Sequence, residues 1–85
     1  MNFEYNTNGT CSKKIEFELS EDGIIKSVRF LGGCHGNLQG IAALVTGMKA
    51  EDVIERISGI RCGFKSTSCP DQLSKALKQA LAANK

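Results

Sequence analysis

From Lys14 to Leu19 apolar and polar side chains alternate without a break. Ile15, Phe17 and Leu19 fall on one face, Lys14, Glu16 and Glu18 on the other. A period of two is the signature of a half-buried strand, and it predicts one over 13–20. Asp22-Gly23 supplies residues that readily take positive φ, which suits a tight hairpin turn. Residues 24–31 then return as a second strand, with Val28 and Phe30 inward and Arg29 outward. Residues 2–6 show a shorter version of the pattern, Phe3 and Tyr5 between polar neighbours, and predict a further strand. The Asn6-Thr7-Asn8-Gly9 that follows is turn chemistry.

After Gly32 the period lengthens. Leu38, Ile41, Ala42, Val45 and Met48 recur three and four apart, predicting a helix over 37–47 that Gly47 ends. A second helix, over 50–58, opens with Glu51 and Asp52, which suit the positive end of its dipole. It buries Val53, Ile54 and Ile57 and stops at Gly59. The third, over 69–82, carries Leu73, Ala76, Leu77, Ala80 and Leu81 on one stripe, with Lys75, Lys78 and Gln79 outside. Its start is marked three times. Ser68 is placed to cap it, Asp71 to complete a capping box, and Pro70 sits in the first turn, where a missing N–H costs nothing. Strands first and helices afterwards give an α+β fold. The expected architecture is an antiparallel three-stranded sheet followed by three helices packed on one face, with the polar face of the hairpin in water. No repeat, low-complexity tract or linker interrupts residues 1–85, which read as one domain.

Composition changes the picture in two ways. A chain of 85 residues builds only a small core, and domains near this size often lean on a metal, disulfides or a partner. The formal net charge of +2 comes without a dense Lys/Arg run, so nucleic acid is not indicated. No apolar run approaches the ~18 residues of a membrane span, and no signal-peptide core follows Met1. The chain reads as cytoplasmic, and there four cysteines argue for metal or redox chemistry over structural disulfides.

Those cysteines are Cys11, Cys34, Cys62 and Cys69. Cys11 precedes the hairpin and Cys34 follows it, so pairing of the strands should bring the two together. Six residues separate Cys62 from Cys69, enough for a loop to fold both sulfurs onto one point. Cys69 opens the third helix, where backbone N–H groups favour a thiolate. Four converging thiolates suit tetrahedral zinc, and equally iron or an iron–sulfur cluster. The competing reading treats each cysteine as a small buried hydrophobe. It fits poorly here, because all four stand beside Gly, Ser or Thr rather than in apolar runs. His35 reads as a bystander in a glycine-rich loop. Gly32, Gly33 and Gly36 read as backbone freedom around Cys34, since no phosphate-loop lysine follows them. No carboxylate pair or Ser/His/Asp set is placed for catalysis, which weighs against an enzyme.

Gly32-Gly33-Cys34-His35-Gly36-Asn37, Cys62-Gly63 and above all Thr67-Ser68-Cys69-Pro70-Asp71 resemble the TSCPD domain family, in its small free-standing four-cysteine branch. The resemblance covers essentially the whole chain. Related domains are attached to adenosylcobalamin-dependent ribonucleotide reductases. The resemblance therefore implies a metal-binding accessory module linked to ribonucleotide reduction, and a reductase label would come by inheritance. The chain is too short to hold the cobalamin site, radical barrel and nucleotide pocket of a catalytic subunit.

A more distant resemblance runs to iron–sulfur scaffolds of the NifU N-terminal (IscU) type, with Cys11, Cys34 and Cys69 at the three scaffold cysteines. It implies an IscU-like fold and partners in iron–sulfur assembly. The chain departs from that pattern at Lys13, where the scaffold has Asp, and at Ser68, where it has His; Cys62 is extra. A fourth thiolate in place of oxygen and imidazole makes a more closed site, suited to keeping a metal. Three functions follow: a zinc module bound to Cys11, Cys34, Cys62 and Cys69 and serving ribonucleotide reductase or another protein, an iron–sulfur scaffold or carrier, or a thiol-redox protein cycling Cys62 and Cys69.

Overall fold

The computed structural model describes residues 2–7, 12–33, 35–61, 63–64 and 66–83. Three strands, β1 (Asn2–Asn6), β2 (Ser12–Leu19) and β3 (Ile25–Gly32), are followed by three helices, α1 (His35–Val45), α2 (Ala50–Ile57) and α3 (Cys69–Ala83). The sheet is antiparallel throughout, in the order β1-β2-β3. This is the α+β arrangement that the change of period at Gly32 predicts.

Register explains why alternation was so readable. Phe3 pairs with Phe17 and Tyr5 with Ile15 on one side of β2, and Val28 with Phe17 and Phe30 with Ile15 on the other. All six therefore share one face, and Phe3 stacks on Phe17 with ring centroids 5.4 Å apart. Cross-strand aromatic pairs of this kind stabilise a sheet beyond their area. The opposite face carries Glu4, Lys14, Glu16 and Arg29, with ion pairs Lys14–Glu4 at 3.5 Å and Arg29–Glu16 at 4.0 Å. That face is the wet one.

The apolar face is covered by the helices. Ile15, Phe17, Leu19 and Ile25 from the sheet join Val45, Ala50, Val53, Leu73, Ala76, Leu77 and Ala80 in one buried cluster. α1 packs on β3, and α2 on α3. Lys75, Lys78 and Gln79 stay exposed, as the stripe on α3 requires.

Local details depart from expectation at two places. The β2–β3 connection is not a two-residue turn, because among the described residues only glycines take positive φ, Gly23 (+80°) among them. Gly23 N–H donates to Ser20 O at 3.0 Å, and Ser20 N–H to Ile24 O at 2.9 Å. A turn followed by one left-handed glycine closes a three-residue loop, and a separate bulge at Lys26 shifts the register between Glu18 and Leu19. The second departure is α1, which starts at His35 rather than 37 and takes Gly36 and Gly40 inside it. Glycine lowers helix propensity, but the apolar side chains of α1 seat on β3 and tertiary packing prevails.

The segment between α1 and α2 ties the helices to the hairpin. Gly47 N–H donates to Ile25 O, Ile25 N–H to Met48 O and Ala50 N–H to Gly23 O, all at 2.8–2.9 Å. α1 therefore runs back along β3 toward the hairpin, and α2 leaves from it. α3 returns to it: Leu81 Cδ2 lies 3.6 Å from where a Cβ on Gly23 would stand. At 1.5 Å per residue, Cys69 is about 18 Å of helix away from Leu81. That length of helix separates the start of α3 from its contact with the hairpin.

Candidate functional site

Of the four cysteines, Cys69 is described by the structure. It is the first residue of α3 and is half-buried. Cys11, Cys34 and Cys62 lie outside the described residues, as does the expected approach of Cys11 to Cys34. Their chain neighbours are described. Ser12, which follows Cys11, is the Cα partner of Gly32, two residues before Cys34. α1 begins at His35, immediately after Cys34. Among the described residues no group of three His, Cys, Asp or Glu side chains comes together.

What fixes Cys69 is a buried polar knot made by the residues around it. Ser68 caps α3 as the sequence predicts, its Oγ accepting the Asp71 N–H at 3.1 Å. The same hydroxyl donates to Ile60 O at 2.6 Å, so the cap is also a crosslink to the chain leaving α2. The Asp71 carboxylate does not turn back to the cap. Its Oδ1 accepts the Gly59 N–H at 2.7 Å and its Oδ2 accepts the Thr67 hydroxyl at 2.5 Å. Asp is one methylene shorter than the Glu that usually completes a capping box, and here its reach suits the adjoining loop.

The knot extends along the helix. Gln72 Nε2 donates to Thr67 Oγ1 at 3.0 Å, and Ser74 Oγ to Asp71 O at 2.6 Å. Lys75 Nζ approaches Asp71 Oδ2 at 3.5 Å from a half-exposed position. Thr67, Ser68, Asp71, Gln72 and Ser74 are all at most 6% exposed. Among the described residues no buried side-chain nitrogen or oxygen lacks a hydrogen-bond partner. Complete satisfaction is what makes such burial tolerable, since an unpaired buried polar group costs about 1–3 kcal/mol. The bond from Thr67 holds the Asp71 carboxyl below its ordinary value of 3.8, helped by the Gly59 N–H and the Lys75 charge against the opposing effect of burial.

Chemically, Asp71 is committed. Both its oxygens accept hydrogen bonds inside the buried knot, so its described role is to anchor the start of α3. Cys69 stands half-buried at the N-terminus of that helix, a setting that stabilises thiolate. Sequence reasoning missed Gly59, Ile60, Thr67 and Gln72 as parts of this site. Thr67 and Gln72 carried a signal, because two more small or amide polar residues flank the cap inside an otherwise apolar stripe. Gly59 and Ile60 contribute only backbone atoms and left none.

Ile60 and Pro70, at the two sides of the knot, also line an apolar groove with Ile41, Leu44, Met48 and Ile57. The start of α3 thereby forms one wall of a groove that α1 and α2 share. No helix among the described residues is long and apolar enough to cross a membrane. The family model for the TSCPD domain matches residues 3–81, from β1 to the last turns of α3. No curated protein and no solved structure matches the chain.

Proposed function

Given that the chain belongs to the TSCPD domain family, we propose that it is a small cytoplasmic metal-binding module holding zinc through Cys11, Cys34, Cys62 and Cys69. The observation that carries this reading is the satisfied knot of Thr67, Ser68 and Asp71, which fixes the start of α3 and with it the backbone position of Cys69 at the helix N-terminus. Two separate pairings of neighbouring chain support it. Ser12 pairs with Gly32 at the end of the sheet, α1 starts just beyond, and Ile60 is bonded to Ser68. Each of these residues stands within three positions of a cysteine.

Zinc bound by four thiolates is a closed site that stabilises a small fold and presents no open position for catalysis. The role is accessory: the module serves a protein partner, and by family resemblance that partner is a ribonucleotide reductase. An iron–sulfur cluster on the same four cysteines, in exchange with assembly machinery, is the reading that the donor set leaves alongside it. The test is purification without oxygen, followed by metal analysis and thiol titration. One zinc per chain in a colourless protein, with the thiols protected until chelator is added, supports the zinc module. A brown protein containing iron and sulfide points to the cluster. A metal-free protein with four titratable thiols rejects both in favour of thiol-redox chemistry.

A further inference from the structure

We propose that the apolar groove shared by α1, α2 and the start of α3 is a docking site for an amphipathic helix of another protein, one whose apolar stripe is flanked by acidic side chains. The inference goes beyond the metal reading and uses no cysteine. Among the described residues the exposed large apolar side chains are Leu44, Ile60 and Phe64. Two of the three, Leu44 at 78% and Ile60 at 43% exposure, line this one groove of about 420 Å³, together with Ile41, Ile57 and Pro70. Leu44 has no share in the buried core, so folding does not account for it. Apolar surface gathered in this way marks an interaction site.

The lining selects the occupant. Every residue that lines the groove is apolar except Arg56. Such a surface offers no row of hydrogen-bond partners to an extended chain, so the occupant must satisfy its own backbone groups, as a helix does. Small-molecule sites bury about 70–90% of their ligand and orient it with several polar groups. Here one wall is the water-exposed Leu44, and a single polar side chain is present.

Arg56 sets the charge. The ion pairs among the described residues join Lys14 to Glu4, Arg29 to Glu16 and Lys75 to Asp71, and Arg56 belongs to none. Its acidic neighbours on α2, Asp52 and Glu55, are not part of the lining. A guanidinium beside apolar surface is complemented by a carboxylate on the incoming helix. A second copy docking groove to groove would instead bring two Arg56 side chains together with no acid in either lining, which disfavours it.

The test is an NMR titration of the isotope-labelled chain, as purified, with synthetic peptides of about 15 residues, long enough to form a helix. The first sets leucines three and four apart with glutamates flanking the stripe. The second replaces each glutamate by lysine, and the third scrambles the first. The first should bind, shifting the amides of Leu44, Arg56 and Ile60, and should bind about threefold or more tighter than the second. The scramble should not bind. Leu44→Ala should weaken the first peptide about fivefold or more while melting close to the parent, and Arg56→Glu should reverse the preference between the first two. No binding of the first peptide, undiminished binding to Leu44→Ala or an unreversed preference in Arg56→Glu would overturn the proposal. Sedimentation showing a dimer that Leu44→Ala dissolves would overturn it in favour of a second copy, and laurate shifting these amides where the first peptide does not would overturn it in favour of an acyl chain. None of these readouts requires a metal, so the proposal and the zinc reading fail separately.

Discussion

The Asp71 carboxylate accepts the Gly59 N–H at 2.7 Å across twelve positions of sequence, joining the first turn of α3 to the residue just past α2. A charged acceptor buried in this way is strong when satisfied and costly when disturbed. Asp71→Asn should destabilise the domain by about 1–3 kcal/mol. Ser74→Ala, which removes a donor and leaves the Asp71 carbonyl in its helix, should cost less. Thermal melting of the two variants beside the parent checks the order.

The same carboxylate sets an acid limit. Its folded pKa lies below the ordinary 3.8, so folding favours the ionised form. The stability it contributes is complete above that ordinary value and is lost as pH falls from there through the lowered folded value. Melting temperature plotted from pH 6 downward should drop below about pH 4, and the drop should be shallower in Asp71→Asn. Parallel curves for parent and variant would assign the acid transition to other carboxylates.

Cys69→Ser should damage zinc binding more than His35→Ala. Serine keeps the shape, but its hydroxyl stays protonated near neutral pH and binds zinc poorly, whereas four thiolates complete a tetrahedral site without imidazole. Metal stoichiometry and melting of both variants, without chelator, provide the comparison. Retention of metal by Cys69→Ser together with its loss from His35→Ala would make His35 the ligand.

Core and surface leucines should separate widely. Leu77 is 0% exposed within the α3 stripe, and Leu44 is 78% exposed on α1. Leu77→Ala should cost about 2–5 kcal/mol through lost burial and a residual cavity. Leu44→Ala should stay within about 0.5 kcal/mol of the parent. Denaturant titration reads both.

Two glycines should respond with opposite signs to alanine. Gly23 sits at φ +80° in the hairpin loop, where a Cβ is strained by about 1–2 kcal/mol although its nearest neighbour, Leu81 Cδ2, would be at an ordinary contact distance of 3.6 Å. Gly40 lies inside α1 with nothing within 4 Å of an added Cβ, so Gly40→Ala should stabilise by about 0.5–1 kcal/mol. Chemical denaturation of the pair tests whether backbone conformation, and not space, decides.

The elements were legible because each obeys a single period. Ile15, Phe17 and Leu19 could face only one way, and the Leu73–Ala76–Leu77–Ala80 stripe required a helix with one buried side. The residues that sequence reasoning misjudged obey contacts rather than periods. Asp71 looked like the partner of its own cap, but the nearest donors belong to Gly59 and Thr67, and nothing local reveals a backbone N–H twelve positions away. His35 and Gly36 looked like loop, since their helical state comes from the packing of α1 against β3. Asp22 was expected to share the positive-φ role that Gly23 takes alone, because turn-forming residues mark where a chain reverses better than how. The donor types of the candidate site were readable from the four cysteines. The scaffold that fixes Cys69 was not, because half of it is main chain.

The path of α3 back to the hairpin has a practical consequence for how the domain can be joined to something else. Asn2 pairs with Glu18, one position from the end of β2, and Leu81 lies against Gly23. The first and last described residues thus both emerge beside the hairpin. An affinity tag, a surface linker or a fused protein would therefore attach at the same place from either end. Two such domains tethered through their ends would be held hairpin to hairpin.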